Sequence, residues 1–221
     1  MGNLSYGVDP QAAKLVAHNI AELAQKGRHE VGVVVGGGNI FRGIQSGPKL
    51  GIDRTPADQI GMLATLINGI ALREALKEQG CDVVLCSALD CPLIAEKYQW
   101  EKAQRSLLKG KILIFAGGTG HPYFTTDSAA ALRACEMKAD ILLKATTRVD
   151  GIYDQDPLLH KEAVKFDRLT YLEVVEKKLG VMDLTAVTLC MTGKIPIRVF
   201  NFYKESLLNA ASGSHVGTLI S

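Results

Sequence analysis

Two glycine-rich turns carry the residues best suited to chemistry. Gly36, Gly37, Gly38 and Asn39 follow one apolar run, and Gly117, Gly118, Thr119 and Gly120 follow another. Glycine permits positive φ and close backbone approach, so each turn can aim several N–H groups at one anion. A single turn of this kind reads equally well as a tight strand-to-helix connection without a ligand. Two of them, both with polar side chains, favour phosphate binding. Arg42 stands four residues past the triple glycine. Its guanidinium either reaches a phosphate held there or is an ordinary surface group. Thr125, Thr126, Asp127 and Ser128 open a predicted helix. Hydroxyls, helix N–H groups and the helix dipole together make an anion site, and the same residues also read as N-capping. Lys144 closes the apolar run Ile141, Leu142, Leu143, where a cation needs a partner such as a phosphate or Asp127. Asp150, Gly151 and residues 154–157 form an acidic loop that could hold a ribose or simply turn the chain.

The common nucleotide fingerprints are missing. No GxxxxGKS/T loop and no GxGxxG turn occurs, so a nucleotide enzyme built on these residues needs another phosphate scaffold. Cys81, Cys86, Cys91, Cys135 and Cys190 form no CxxC pair and are odd in number. That argues against a zinc site or a closed disulfide framework, and for thiols packed as small apolar groups. No metal-ligating residues are assigned. With 25 basic and 23 acidic residues the net charge is only +2, and no Lys/Arg run suggests a nucleic-acid partner. No apolar run is long enough for a membrane and no leader-like segment opens the chain, so a cytoplasmic location is expected.

Strand-like and helix-like segments alternate to position these residues. At 221 residues, 47% hydrophobic and 6% aromatic, the chain suits a single α/β domain, with room for two lobes. Asp9 as N-cap and Pro10 open a helix over 10–27 with Leu15, Ile20, Leu23 and Ala24 inward. A fully buried strand is predicted over 31–35. Thr55 to Asp58 read as a capping box with Asp in place of Glu, opening a helix that runs to about residue 80. Next come a strand over 83–86, a helix over 95–109 and a strand over 111–116. A helix from 126 or 127 to 139, a strand over 141–144 and a polar loop over 149–157 follow. Helices over 169–179 and 184–192, a strand over 195–200, a helix over 207–211 and a strand over 218–220 end the chain. This order implies a mostly parallel sheet sandwiched between helices in three layers, with ligands at the carboxyl ends of the strands.

Four stretches, in this order, resemble the bacterial UMP kinases of the amino-acid-kinase fold. They are VVVGGGNIFRG (33–43), ADQIGMLATLINGIALREAL (57–76), GTGHPYFTTDSAAALRACE (118–136) and LLKATTRVDGIYDQDP (142–157). VMDLTAVTLC and IPIRVFNF near the end also fit. The resemblance implies phosphoryl transfer from ATP to UMP in pyrimidine nucleotide biosynthesis, with ATP and Mg2+ as cofactors. It places Gly37, Asp58, Thr119, Gly120, His121, Pro122, Tyr123, Phe124, Thr125 and Thr126 against UMP. Gly38, Arg42, Thr146, Tyr153 and Asp156 fall on the ATP side. Asp127, Lys144 and Arg42 organise the transferring phosphoryl group and magnesium. A homohexamer, activated by GTP and inhibited by UTP, is implied as well.

The chain departs from that pattern in three places. His121 stands where the family has Asn, and Thr147-Arg148 adds one residue before Val149. The family's opening strand and Lys-x-Ser-Gly turn have no counterpart, so a chain lacking its first strand is expected. Two alternatives remain open from sequence. One is a related kinase acting on a carboxylate, such as acetylglutamate kinase or aspartokinase. The other is a nucleotide-binding remnant without turnover.

Overall fold

A computed structural model describes residues 7–180, 182–213 and 215–221. The chain divides into two compact units, Met1–Ala129 and Ala130–Ser221.

The first unit is an α/β layer structure. Helix α1 (Pro10–Gln25) starts as its sequence dictates, the Asp9 carboxylate accepting from the N–H groups of Gln11 and Ala12 with Pro10 in the first turn. Four parallel strands follow: β1 (Gly32–Val34), β2 (Val83–Ser87), β3 (Glu96–Lys97) and β4 (Ile112–Ala116), in the order β1-β4-β2-β3. Strand β4 lies inside this sheet and is buried at every residue, as an apolar run flanked by strands on both sides must be. Between β1 and β2 come the short helix α2 (Gly43–Ser46), a 3-10 turn at Pro48–Leu50 and the long helix α3 (Arg54–Glu78). Helix α3 packs on α1 and on β2 and β4. Gly69 lets it approach closely, since a Cβ there would lie 2.8 Å from Leu85. Helix α4 (Trp100–Leu107) covers β4 through Ala103 and Leu107. Helix α5 (Thr126–Met137) begins at the end of this unit.

The second unit is a mixed sheet with helices. Strands β5 (Leu142–Thr146), β8 (Arg168–Leu169), β9 (Ile197–Asn201) and β10 (Thr218–Ile220) lie in the order β5-β9-β10-β8. Only the β9–β10 pair is antiparallel. A separate hairpin joins β6 (Ile152–Tyr153) and β7 (Lys165–Phe166). Helices α6 (Tyr171–Glu176) and α7 (Leu184–Gly193) pack together, and α8 (Leu207–Ala211) follows β9. The core gathers Val174, Val187, Ile197, Val199 and Ile220, all essentially inaccessible to solvent.

Several expectations need correction. Leu15 is 41% exposed because it lies across the helix from the buried stripe Ala12, Ala17, Ile20, Leu23; Ala24 is only half-buried. Residues 31–35 are not a fully buried strand: β1 pairs only with β4 among the described residues, and of these five only Val35 is buried. The helix at Thr55 starts earlier, with Asp53 as N-cap, and no capping box forms because the Asp58 carboxylate is engaged elsewhere. The helix expected from residue 95 begins only at Trp100, since Glu96 and Lys97 add a strand beside β2. The loop 149–157 contains β6, and β7 and β8 were not anticipated.

Candidate active site

The two glycine turns are built differently. Gly117, Gly118 and Gly120 have φ of +78°, +59° and +84°, so the second turn needs glycine for its backbone conformation. Gly36, Gly37 and Gly38 do not adopt positive φ. There the requirement is space. A Cβ on Gly37 would lie 2.6 Å from the Gly61 carbonyl oxygen and 2.8 Å from the Ala64 methyl group, so the turn presses directly on α3. The turn also meets the start of α5: a Cβ on Gly36 would be 3.3 Å from the Thr126 hydroxyl.

Asp58 ties the second motif to the third. Its carboxylate accepts from the Tyr123 backbone N–H at 2.8 Å and from Arg54 Nε at 2.6 Å. The Arg54 guanidinium also lies over the Tyr123 ring, 5.2 Å from its centroid. Tyr123 has φ of +71°, an uncommon conformation for a bulky residue, held here by that carboxylate. Both Tyr123 and Phe124 face solvent, at 65% and 51% exposure. The turn Thr119 to His121 is closed by its own threonine, whose hydroxyl accepts from His121 N–H. Thr125 realises the capping role: its hydroxyl accepts from the N–H groups of Asp127 and Ser128, both at 3.1 Å. Asp127 sits in the first turn of α5, where a carboxylate is favourable. Arg42 is exposed at the start of α2 and donates from Nε to the Gly38 carbonyl at 2.9 Å. The first unit thus brings Gly36, Gly37, Gly38, Arg42, Asp58, Tyr123 and Thr126 into one neighbourhood.

The remaining assigned residues lie in the second unit. Lys144 is half-buried in β5, opposite Val199 of β9. The Thr146 hydroxyl donates to the Val149 carbonyl. Tyr153 donates to Asp150 Oδ1 at 2.6 Å, and Lys165 Nζ lies 3.3 Å from Oδ2. The tyrosine hydrogen bond holds the Asp150 carboxyl below its usual range, with Lys165 adding to the effect. The same bond pushes the Tyr153 phenol up to about 12. Asp154 accepts from Val164 N–H, and Asp156 accepts from Leu158 N–H. The acidic loop therefore does turn the chain, as one of its two sequence readings required.

Sequence reasoning missed Arg54, Thr65 and Asn68, all on α3. The signal was available: Thr65 and Asn68 are polar residues at helical spacing among Ala57, Ala64 and Leu72 on a face that is otherwise buried. All five cysteines are free thiols, and burial raises the Cys190 thiol to about 12, which removes it as a nucleophile. Among the described residues no group of three or more His, Cys, Asp or Glu side chains could hold a metal. No described helix is long and apolar enough to cross a membrane.

The strand-and-helix order and the glycine turns at strand ends are those of an α/β kinase fold. The amino acid kinase family model matches residues 2–201, and the chain belongs to that family. Within it the similarity is to uridylate kinases. The uridylate kinase of Protochlamydia amoebophila is 50% identical over 223 aligned positions, covering 100% of this chain and 88% of that protein. The Chlamydia abortus uridylate kinase is 52% identical over 86% of this chain and 78% of its own length. The crystal structure of a UMP kinase from Bacillus anthracis superposes with a TM-score of 0.95 at 37% identity, covering 99% of this chain and 90% of that one. The Protochlamydia and Bacillus matches span 100% and 99% of this chain, and they do not show the expected N-terminal truncation.

Proposed function

We infer that the chain is an ATP:UMP phosphotransferase, moving the γ-phosphoryl group of ATP to UMP to give UDP. The observation that carries this reading is the Asp58–Tyr123 bond, which joins two motifs across 65 residues. The acceptor is itself a phosphate with a second pKa of about 6, so it is largely dianionic at neutral pH and needs no general base. Catalysis then rests on positioning two polyanions and screening their charge. We assign Gly37, Asp58 and residues 119–126 to UMP, the exposed Tyr123 and Phe124 rings offering faces to the base. Gly38, Arg42, Thr146, Tyr153 and Asp156 serve ATP. Asp127, Lys144 and Arg42 serve the transferred group. His121 lines the UMP pocket rather than acting as a base.

Magnesium enters with ATP. Among the described residues no group of side chains forms a cage, which suits an ion carried chiefly by phosphates, with Asp127 the carboxylate assigned to it. When bound, it neutralises phosphate charge. The two units form one kinase domain on this reading, since the family match spans both. A cytoplasmic homohexamer responding to GTP and UTP completes it and is carried by the family resemblance.

An acceptor panel with ATP tests the assignment. UMP should exceed CMP by at least about 100-fold in kcat/KM, because a site pairing with the uracil edge leaves polar groups unmatched against an amino group. Comparable values would defeat the base-reading role of residues 119–124. Turnover of aspartate or acetylglutamate instead would move the chain to a carboxylate kinase.

A further inference from the structure

One face of α3 holds the starts of both glycine turns and the Tyr123 backbone. Asp58, Thr65 and Asn68 are spaced by seven and three residues, which places them in a row along one side of the helix. Asp58 holds Tyr123. Thr65, only 5% exposed, accepts the Gly117 N–H at 2.7 Å and donates its own proton to the Met62 carbonyl at 2.7 Å. Asn68, 7% exposed, donates to the Gly36 carbonyl and to the Asn39 carboxamide oxygen, each at 2.7 Å. Asn39 answers with a bond of 3.1 Å to Asn68 Oδ1 and another of 2.8 Å to the Gly7 carbonyl. Between these bonds, Gly37 rests on the helix backbone itself.

Neither Thr65 nor Asn68 follows from the needs of α3. A polar side chain facing inward on a helix costs free energy unless it is matched. Both are matched by backbone groups of the glycine turns, over sequence separations of 52 and 32 residues. The Gly117 N–H sits at the start of the second turn, where φ first turns positive, so its direction sets the path of Gly118, Thr119 and Gly120. We propose that Thr65 and Asn68 are positioning residues: they fix the two glycine turns in register on one rigid helix, so that their backbone groups meet UMP without reorganisation. This rests on the reading that residues 117–126 bind UMP.

The test compares Thr65→Val, which keeps the shape and removes the hydroxyl, with Thr65→Ser, which restores it. Losing the partner of one buried N–H should raise the KM and Kd for UMP about tenfold, with the KM for ATP changed by less than about threefold. Thr65→Ser should recover UMP affinity to within about threefold of the parent. Asn68→Asp, which loses both donated bonds, should act in the same direction, and it carries the test if Thr65→Val does not fold. Thr119→Ala and Phe124→Ala serve as direct-contact controls, with UMP affinity measured by calorimetry. If the controls weaken UMP while the α3 variants only lower the melting temperature, or raise both KM values alike, the positioning role is overturned and the site assignment stands. If the controls leave UMP affinity unchanged, the assignment fails and takes this proposal with it.

Discussion

The residues assigned to the acceptor in the first unit and the loop at 146–165 in the second are held by opposite strategies. In the first unit the key bonds are long in sequence: Asp58 to Tyr123, Thr65 to Gly117 and Asn68 to Gly36 span 65, 52 and 32 residues. In the second, the bonds are local: Thr146 to Val149, Tyr153 to Asp150 and Asp156 to Leu158 span three, three and two. A turn held by distant helix side chains is shaped before its ligand arrives, as transition-state electrostatics require. The second unit's loop sets its own turns through its local bonds, and distant groups join it as well: Lys165 at Asp150, Val164 at Asp154, Asn201 at the Val149 carbonyl and the Thr218 hydroxyl at the Ile152 N–H. On the proposed assignments, the contrast makes acceptor selection and donor handling separable, and mutations should show it.

The largest effect is expected at Asp127. If it places the transferring group, Asp127→Asn should lower kcat by at least about 100-fold, with UMP affinity changed far less. Near-normal turnover would leave Asp127 a helix-start residue and no more. Next comes Asp58→Ala, which releases Arg54 and the Tyr123 N–H together. Bonds to a charged group suggest a rise in the KM for UMP of about 10- to 100-fold, with the KM for ATP largely unaffected. Equal loss on both substrates would erase the separation between the two regions.

The smallest effect belongs to Tyr153→Phe. A local loop should tolerate loss of one bond, so kinetic constants should move less than about threefold. Its signature is spectroscopic. The bonded phenol titrates near 12 rather than its ordinary 10, so a parent-minus-variant ultraviolet titration should be centred near 12. Because the folded pKa is raised, the bond's contribution to stability is complete below pH 10 and lost as pH rises towards 12. Asp150 has the opposite sense: its contribution is present above pH 3.8 and fades as pH falls through its lowered folded value. Stability differences between parent and variant should thus be flat across neutral pH. A titration centred near 10 would show that Tyr153 does not donate to Asp150 in solution.

Legibility from sequence followed the range of the interactions. Asp9 capping α1, the helix Leu207–Ala211 and the strand Thr218–Ile220 were readable because their signals lie within a few residues. Strands of two residues, such as Glu96–Lys97 and Arg168–Leu169, carry no periodicity to read. The capping box expected at Thr55 failed because α3 already starts at Arg54, leaving Thr55 inside the helix, and the Asp58 carboxylate is claimed by Arg54 and by Tyr123, 65 positions away. Of the candidate site, the glycine turns and the helix start at Thr126 were visible as residue types. Thr65 and Asn68 were not, although their spacing puts them on the apolar face of α3, because polar groups within a helix ordinarily read as its wet face, and Arg54 carried no such signal.

Strand β10 has a consequence for how the second unit assembles. Although last in sequence among the strands, it lies between β9 and β8, pairing Thr218 with Val199 and Ile220 with Leu169. The Thr218 hydroxyl further accepts from Ile152 N–H and donates to the Phe166 carbonyl, stitching the β6–β7 hairpin to it. Gly217 just before it must be glycine, because a Cβ would overlap the Val199 carbonyl. A ribosome delivers this strand after everything it holds together. Until it arrives, β8 and β9 lack a common partner, and their backbone groups stay open to exchange with solvent or to pairing with another chain. Folding of this unit is therefore a late, closing event with high contact order, and its central amides should be the last to gain protection during synthesis.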